Sequence, residues 1–122
     1  MKIIQQAFKV ENQEYYTMHL QIANAVLPVK LIDKELEVLA AFMGLDKNII
    51  EENYFNPVAR KKVLKRLDIS AAGLSNHLKS MINKGFLIKN DITNAITIRE
   101  FLLPEEDGQG YQFKIIKNEV RK

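Results

Sequence analysis

Cysteine is absent from the 122 residues, which excludes a disulfide framework and any thiolate metal site and agrees with a reducing compartment. Long hydrophobic runs are absent too. The longest, Val38 to Met43, falls far short of the roughly 20 residues that a membrane-spanning helix needs. The N-terminus lacks the basic and apolar blocks of a signal peptide, so the expectation is a soluble, cytoplasmic protein. Neither a glycine-rich phosphate loop, a nucleophile elbow nor an HExxH pattern occurs. The two histidines, His19 and His77, stand at no metal-ligand spacing from carboxylates. A non-enzymatic chain without cofactor or metal is therefore expected, its 47% hydrophobic residues sufficing for one modest core.

Only three prolines and five glycines punctuate the chain, and their places divide it. Pro28 closes a candidate helix, Glu14 to Leu27, in which Tyr15, Met18, Ile22 and Val26 can share a face; that face packs either on the core or on a second copy. Ile3 to Val10 before it reads as a strand or an extended arm. Asp33 caps a second amphipathic helix ending at Gly44, with Leu36, Leu39, Ala40 and Met43 on one side and Glu35 and Glu37 where the helix dipole favours carboxylates. Leu45 to Phe55 reads as a loop with a short strand or turn around Asn48 to Glu52.

From Asn56 to Leu87 the sequence NPVARKKVLKRLDISAAGLSNHLKSMINKGFL spells two short helices joined by a tight turn. Asn56 is an N-cap with Pro57 at the first helical position, where its missing amide hydrogen is not needed. Ala59, Val63 and Leu67 form the apolar stripe. Ser70 caps the second helix, whose stripe is Leu74, Leu78 and Met81 or Ile82, and Gly85 supplies a left-handed terminator. Strand candidates follow at Phe86 to Lys89, Ala95 to Leu103 and Tyr111 to Ile116, the last two joined by a proline- and glycine-bearing tip, Pro104 to Gly110.

Charge is distributed unevenly. Met1 to Asn56 holds five Lys/Arg against eight Asp/Glu, Pro57 to Arg99 nine against two, and Glu100 to Lys122 four against five, so a net +3 conceals a +7 middle. The first helix of the pair carries Arg60, Lys61, Lys62, Lys65 and Arg66. Off its apolar stripe the second presents Ala71, Ala72, Gly73, Ser75, Asn76, Lys79, Ser80 and Asn83, without one acid. A polyanion with a phosphate-lined groove suits such a surface.

The stretch from Ser70 to Leu87 resembles the recognition helix of winged helix-turn-helix regulators, especially the multiple-antibiotic-resistance (MarR-like) class, through Ser70, Leu74, Ser75, Leu78, Lys84 and Gly85. Leu31 to Leu39 is similar to the first helix of that unit, which small phage and plasmid regulators also use. The resemblance spans Leu31 to Ile116 and implies an α+β fold with 31–117 as the winged domain; residues 1–30 are then an additional N-terminal arm and helix, packed on the core or serving as a dimer element, and 118–122 a frayed tail. By the same resemblance the partner is double-stranded DNA bound by a homodimer. Ala72, Gly73, Ser75, Asn76 and Lys79 would then read bases, and Arg60, Lys61, Lys65, Arg66 and Ser70 would hold phosphates. The acids Glu105, Glu106 and Asp107 fall on the expected wing tip, where they would meet a protein partner. The competing expectation is accordingly a non-catalytic adaptor built on the same scaffold.

Overall fold

The structure, a computed structural model, describes residues 2–118. The frayed tail expected from 118 lies, but for Asn118, outside them. Five helices and one two-stranded antiparallel sheet make an α+β domain: α1 Asn12–Val26, α2 Asp33–Met43, α3 Lys47–Ile50, α4 Pro57–Leu67, α5 Ala71–Asn83, β1 Leu87–Lys89 and β2 Ile96–Ile98, closed by a 3-10 turn at Glu100–Leu102.

Helix α2 is the centre. Every residue from Val38 to Met43, the longest apolar run in the chain, is buried, and α1, α4 and α5 all pack on this helix. A helix apolar on every side must be covered on every side. The Phe42 and Phe55 rings lie 4.7 Å apart and seal the loop before α4 against it. The stripes read from sequence on α4 and α5 are the buried ones: Ala59 and Val63, with Leu67 half-buried, and Leu74, Leu78 and Met81.

Helix α2 begins one residue differently from expectation. Asp33 is already helical and Ile32 is the cap, because the Glu35 carboxylate accepts from the Ile32 amide at 2.9 Å and so does the capping work from inside the helix. The buried side of α1 also differs. His19 and Leu20 face the core, whereas Tyr15, Met18 and Ile22 are only half-buried and Val26 is exposed. Residues 2–10 form no strand.

The hairpin is corrected most. β1 pairs with β2 in the register Leu87↔Ile98, and the connection runs through Asn90 to Ala95, so the tip is there and not at Pro104 to Gly110. Asn90 makes this turn without glycine or proline: its Oδ1 accepts from the Ile92 and Thr93 amides, and Asn94 takes the left-handed conformation at φ 60°. The expected strand Ala95 to Leu103 stops at Ile98 because the chain winds into the 3-10 turn that buries Leu102. Tyr111 to Ile116 forms no strand.

Glu105, Glu106 and Asp107 consequently leave the hairpin and join α1 and α3. Tyr15 donates to the Glu105 carbonyl at 2.5 Å, and Lys47 pairs with Glu106 at 2.7 Å. Beneath them His19 Nε2 donates to the Leu102 carbonyl at 2.8 Å, which leaves Nδ1 as acceptor for the Tyr111 hydroxyl. Together these bonds strap the segment 102–111 across α1.

Burial lowers the His19 pKa, an effect only partly offset by its bond to the Leu102 carbonyl. Protonation would also turn Nδ1 into a donor and remove the acceptor for Tyr111. With the folded value depressed, the contribution of His19 to stability is complete above the unfolded value, about 6.5, and shrinks as pH falls through the folded value. The melting temperature should therefore decline between pH 7 and pH 5 more steeply in the parent than in His19→Gln. Equal slopes would remove His19 as the source.

Candidate nucleic-acid interface

The helix pair is held by local chemistry that the sequence announces. Asn56 Oδ1 accepts from the Ala59 amide at 2.9 Å and opens α4. Asp68 closes it in the left-handed conformation, its amide bonded to the Leu64 carbonyl. Two residues later Ser70 Oγ accepts from the Gly73 amide at 3.0 Å and opens α5. Gly85, at φ +86°, ends that element, with the Phe86 amide returning to the Met81 carbonyl. A side chain at Gly85 would be strained there.

The candidate base-reading residues Ala72, Ser75, Asn76 and Lys79 are exposed, and Gly73 is half-buried. A Cβ at Gly73 would lie 3.1 Å from Ser70 Oγ, so glycine keeps the capped first turn uncrowded. Of the candidate phosphate-binding residues, Lys61, Lys65, Arg66 and Ser70 are exposed, as is Lys62 beside them. Arg60 is half-buried and its Nε donates to the Phe55 carbonyl at 2.8 Å, tying α4 to the preceding loop while its terminal nitrogens remain available.

Among the described residues the nine Lys and Arg side chains of Pro57 to Arg99 form a single ion pair, that of Lys84 with Glu35. The other eight have no acidic partner within bonding range, and the segment's two acids, Asp68 and Asp91, are exposed and unbridged. Lys89 and Arg99 extend the uncompensated charge onto the hairpin strands and their margin.

One group of residues had a different reading from sequence. Ser80 does not join the outward face of α5: its hydroxyl donates to Glu35 Oε2 at 2.6 Å, and Lys84 Nζ donates to Oε1 at 2.6 Å. Glu35 is fully buried. Burial by itself would raise its pKa, but the bonds from Lys84, Ser80 and the Ile32 amide outweigh that and hold the carboxyl below its ordinary value. The carboxylate thus fastens the N-terminus of α2 to the last turn of α5. Ser80 and Lys84 are one helical turn apart, but helical spacing sends Ser80 off the apolar stripe, and nothing local named Glu35 as their partner.

No group of three or more His, Cys, Asp or Glu side chains suited to a metal ion occurs among the described residues. No helix among them is long and apolar enough to cross a membrane. Comparison of the chain with protein-family models, with curated proteins and with solved structures finds no match.

Removing the cation should be more damaging than its surface position suggests. Lys84→Met leaves Glu35 buried without its counter-charge, a loss of about 3 to 5 kcal/mol on the scale of broken buried pairs, read by urea denaturation at pH 7. Because the folded Glu35 pKa is depressed, the parent's advantage is full above the unfolded carboxyl value and is lost as pH falls through the folded one. A Lys84→Met protein as stable as the parent at neutral pH would show the pair to be inconsequential.

Proposed function

We propose that the chain is a sequence-specific double-stranded-DNA-binding protein of the winged helix-turn-helix type, acting as a transcriptional regulator. α4, the turn at Asp68 to Ser70, and α5 form the helix-turn-helix, and the β1–β2 hairpin is the wing. The observation that carries this reading is the set of eight cations between Pro57 and Arg99 that have no acidic partner among the described residues, set around an acid-free, exposed helix face. Cations left without partners are what a phosphate backbone neutralises, releasing counterions as it does so.

Roles follow from side-chain chemistry. Ala72 and Gly73 are small enough to let the start of α5 approach base edges. Asn76 can bond an adenine bidentately, and Ser75 and Lys79 offer further donors. Lys61, Lys65, Arg66 and the terminal nitrogens of Arg60 are the phosphate contacts, joined by the Ser70 hydroxyl, whose proton is free to donate while its oxygen caps the helix. These contacts set register without reading sequence. The reading is of a binding protein and not an enzyme, it carries a cytoplasmic location with it, and a homodimer would match a two-half-site target.

The adaptor alternative drew its support from three acids at a wing tip. With those acids beside α1 and α3, the tip at Asn90 to Asn94 carries one acid, Asp91, among amide and hydroxyl side chains. The electrostatic objection to a wing near phosphates is correspondingly smaller.

An anisotropy titration with duplex DNA should lose on the order of a hundredfold or more in affinity between about 50 and 200 mM salt, for about four to six phosphate contacts. Lys61→Ala with Lys65→Ala should weaken binding to all sequences alike and reduce the salt slope by about two. Asn76→Ala should cost about 1 to 3 kcal/mol on the preferred site alone. Absence of duplex binding at low salt would end the DNA reading, and equal losses for Asn76→Ala on preferred and random DNA would strike Asn76 from the base-reading set.

A further inference from the structure

The tip of the β1–β2 hairpin carries a residue that the core does not use. Ile92 is 92% exposed, yet its backbone is pinned, because its amide donates to Asn90 Oδ1 at 2.9 Å. The rest of the turn is tied as well. The Thr93 amide donates to the same oxygen, the Asn94 amide to the Asn90 carbonyl, the Asn90 amide to the Ala95 carbonyl, and the Ala95 amide to Thr93 Oγ1. Below the turn the hairpin is rooted in the core through Phe86, Leu87, Ile96 and Ile98, and the Phe86 amide returns to the Met81 carbonyl of α5. The tip therefore keeps a fixed place relative to α5. Solvated turns are ordinarily built from glycine, proline and short polar residues, whereas a β-branched aliphatic side chain there exposes apolar surface with a stiff χ1. A rigid apolar point without a partner has the form of a wedge.

We propose that Ile92 is a wedge for duplex DNA: with α5 in the major groove, the hairpin tip enters the adjoining minor groove, where Ile92 parts one base step and bends the duplex. The inference rests on the DNA-binding reading and adds to it a deformation that base reading by α5 does not require. The chemistry around Ile92 favours a nucleic acid. Lys89 at the end of β1 and Arg99 just past β2 are exposed and have no acidic partner among the described residues, so the chain carries phosphate-binding charge on both approaches to the tip. Asn94, exposed in the same turn, offers amide donors to the acceptors that A·T pairs display in the minor groove. Asp91, the single acid of the tip, opposes the contact and is outnumbered by those two cations. Insertion of an apolar side chain between bases is an established way to kink a duplex toward its major groove. The deformation costs least at pyrimidine–purine steps. Ile92 would thus confer sequence preference at a step that α5 does not touch.

Duplexes of about 30 base pairs, selected by the full-length parent from a random-sequence pool and labelled at their ends with donor and acceptor dyes, report the bend by energy transfer. The parent should bend them by about 20 to 90°. Ile92→Ala should keep the melting temperature and the salt slope, since the side chain is exposed and uncharged, while the bend is lost and affinity falls about tenfold. Ile92→Leu, which preserves an apolar wedge, should keep both bend and affinity. A further variant locates the tip. At about 150 mM salt, where screening reaches about 8 Å, Asp91→Asn should tighten binding by removing a repulsive charge beside the phosphates. Duplex that the parent binds but leaves straight overturns the proposal while the DNA-binding reading stands, as does an Ile92→Ala protein that bends DNA like the parent or an Asp91→Asn protein of parental affinity. A parent that selects no duplex from the pool overturns both.

Discussion

A carboxylate with no exposure to solvent needs its charge answered inside the protein, and Glu35 is answered three times. The Ile32 amide comes from its own helix, Ser80 and Lys84 from the far end of α5. Apolar packing of Leu74, Leu78 and Met81 on α2 is non-directional and would tolerate a small roll or slide of α5. Hydrogen bonds to one fixed carboxylate do not. The outward set of α5, with Ser75, Asn76 and Lys79 at its middle, is thereby held at a defined rotation relative to α2. The angle at which α5 presents these side chains is set by Glu35.

The opposite end of the molecule is organised by the strap over α1. Lys47, Tyr15, His19 and Leu102 tie the chain after the hairpin back to its beginning, so elements roughly ninety residues apart in sequence share one surface. Asn12 adds to this by donating to the Gly44 carbonyl at the end of α2. A Cβ at Gly44 would lie 2.2 Å from the Gln13 Oε1, which shows how closely α1 passes the end of α2.

What was legible in the sequence was local. Caps at Asn56 and Ser70, the terminator at Gly85 and the stripes of α4 and α5 follow from hydrogen bonding and periodicity within a few residues, and they stand as read. The outward residues of α5, Ser80 excepted, and the cations of α4 are likewise where helical spacing sends them. The hairpin was misplaced because Pro104, Gly108 and Gly110 are strong turn signals, whereas Asn90 builds its turn from a side-chain amide in a stretch with neither proline nor glycine. The Glu35 cluster and the His19 bonds could not be read at all. Each joins residues 45 or more positions apart, and no single-chain periodicity encodes which distant donor will meet which acceptor.

Moving the hairpin tip also changes the electrostatic sense of the molecule. With Glu105 to Asp107 placed on a wing, the basic segment would carry its own inhibitor at its leading edge. Placed beside α1 and α3, the acids are partly consumed by Lys47, while the +7 segment retains nearly all its cations unanswered. Charges of opposite sign gathered on different elements produce a directed field that a net +3 would not suggest. Screening confines the effect to about one Debye length, roughly 8 Å at physiological salt. The field is therefore felt only within the first few layers of solvent over α4, the outer side of α5 and the hairpin, and it is there that separating the acids from the hairpin has its physical consequence.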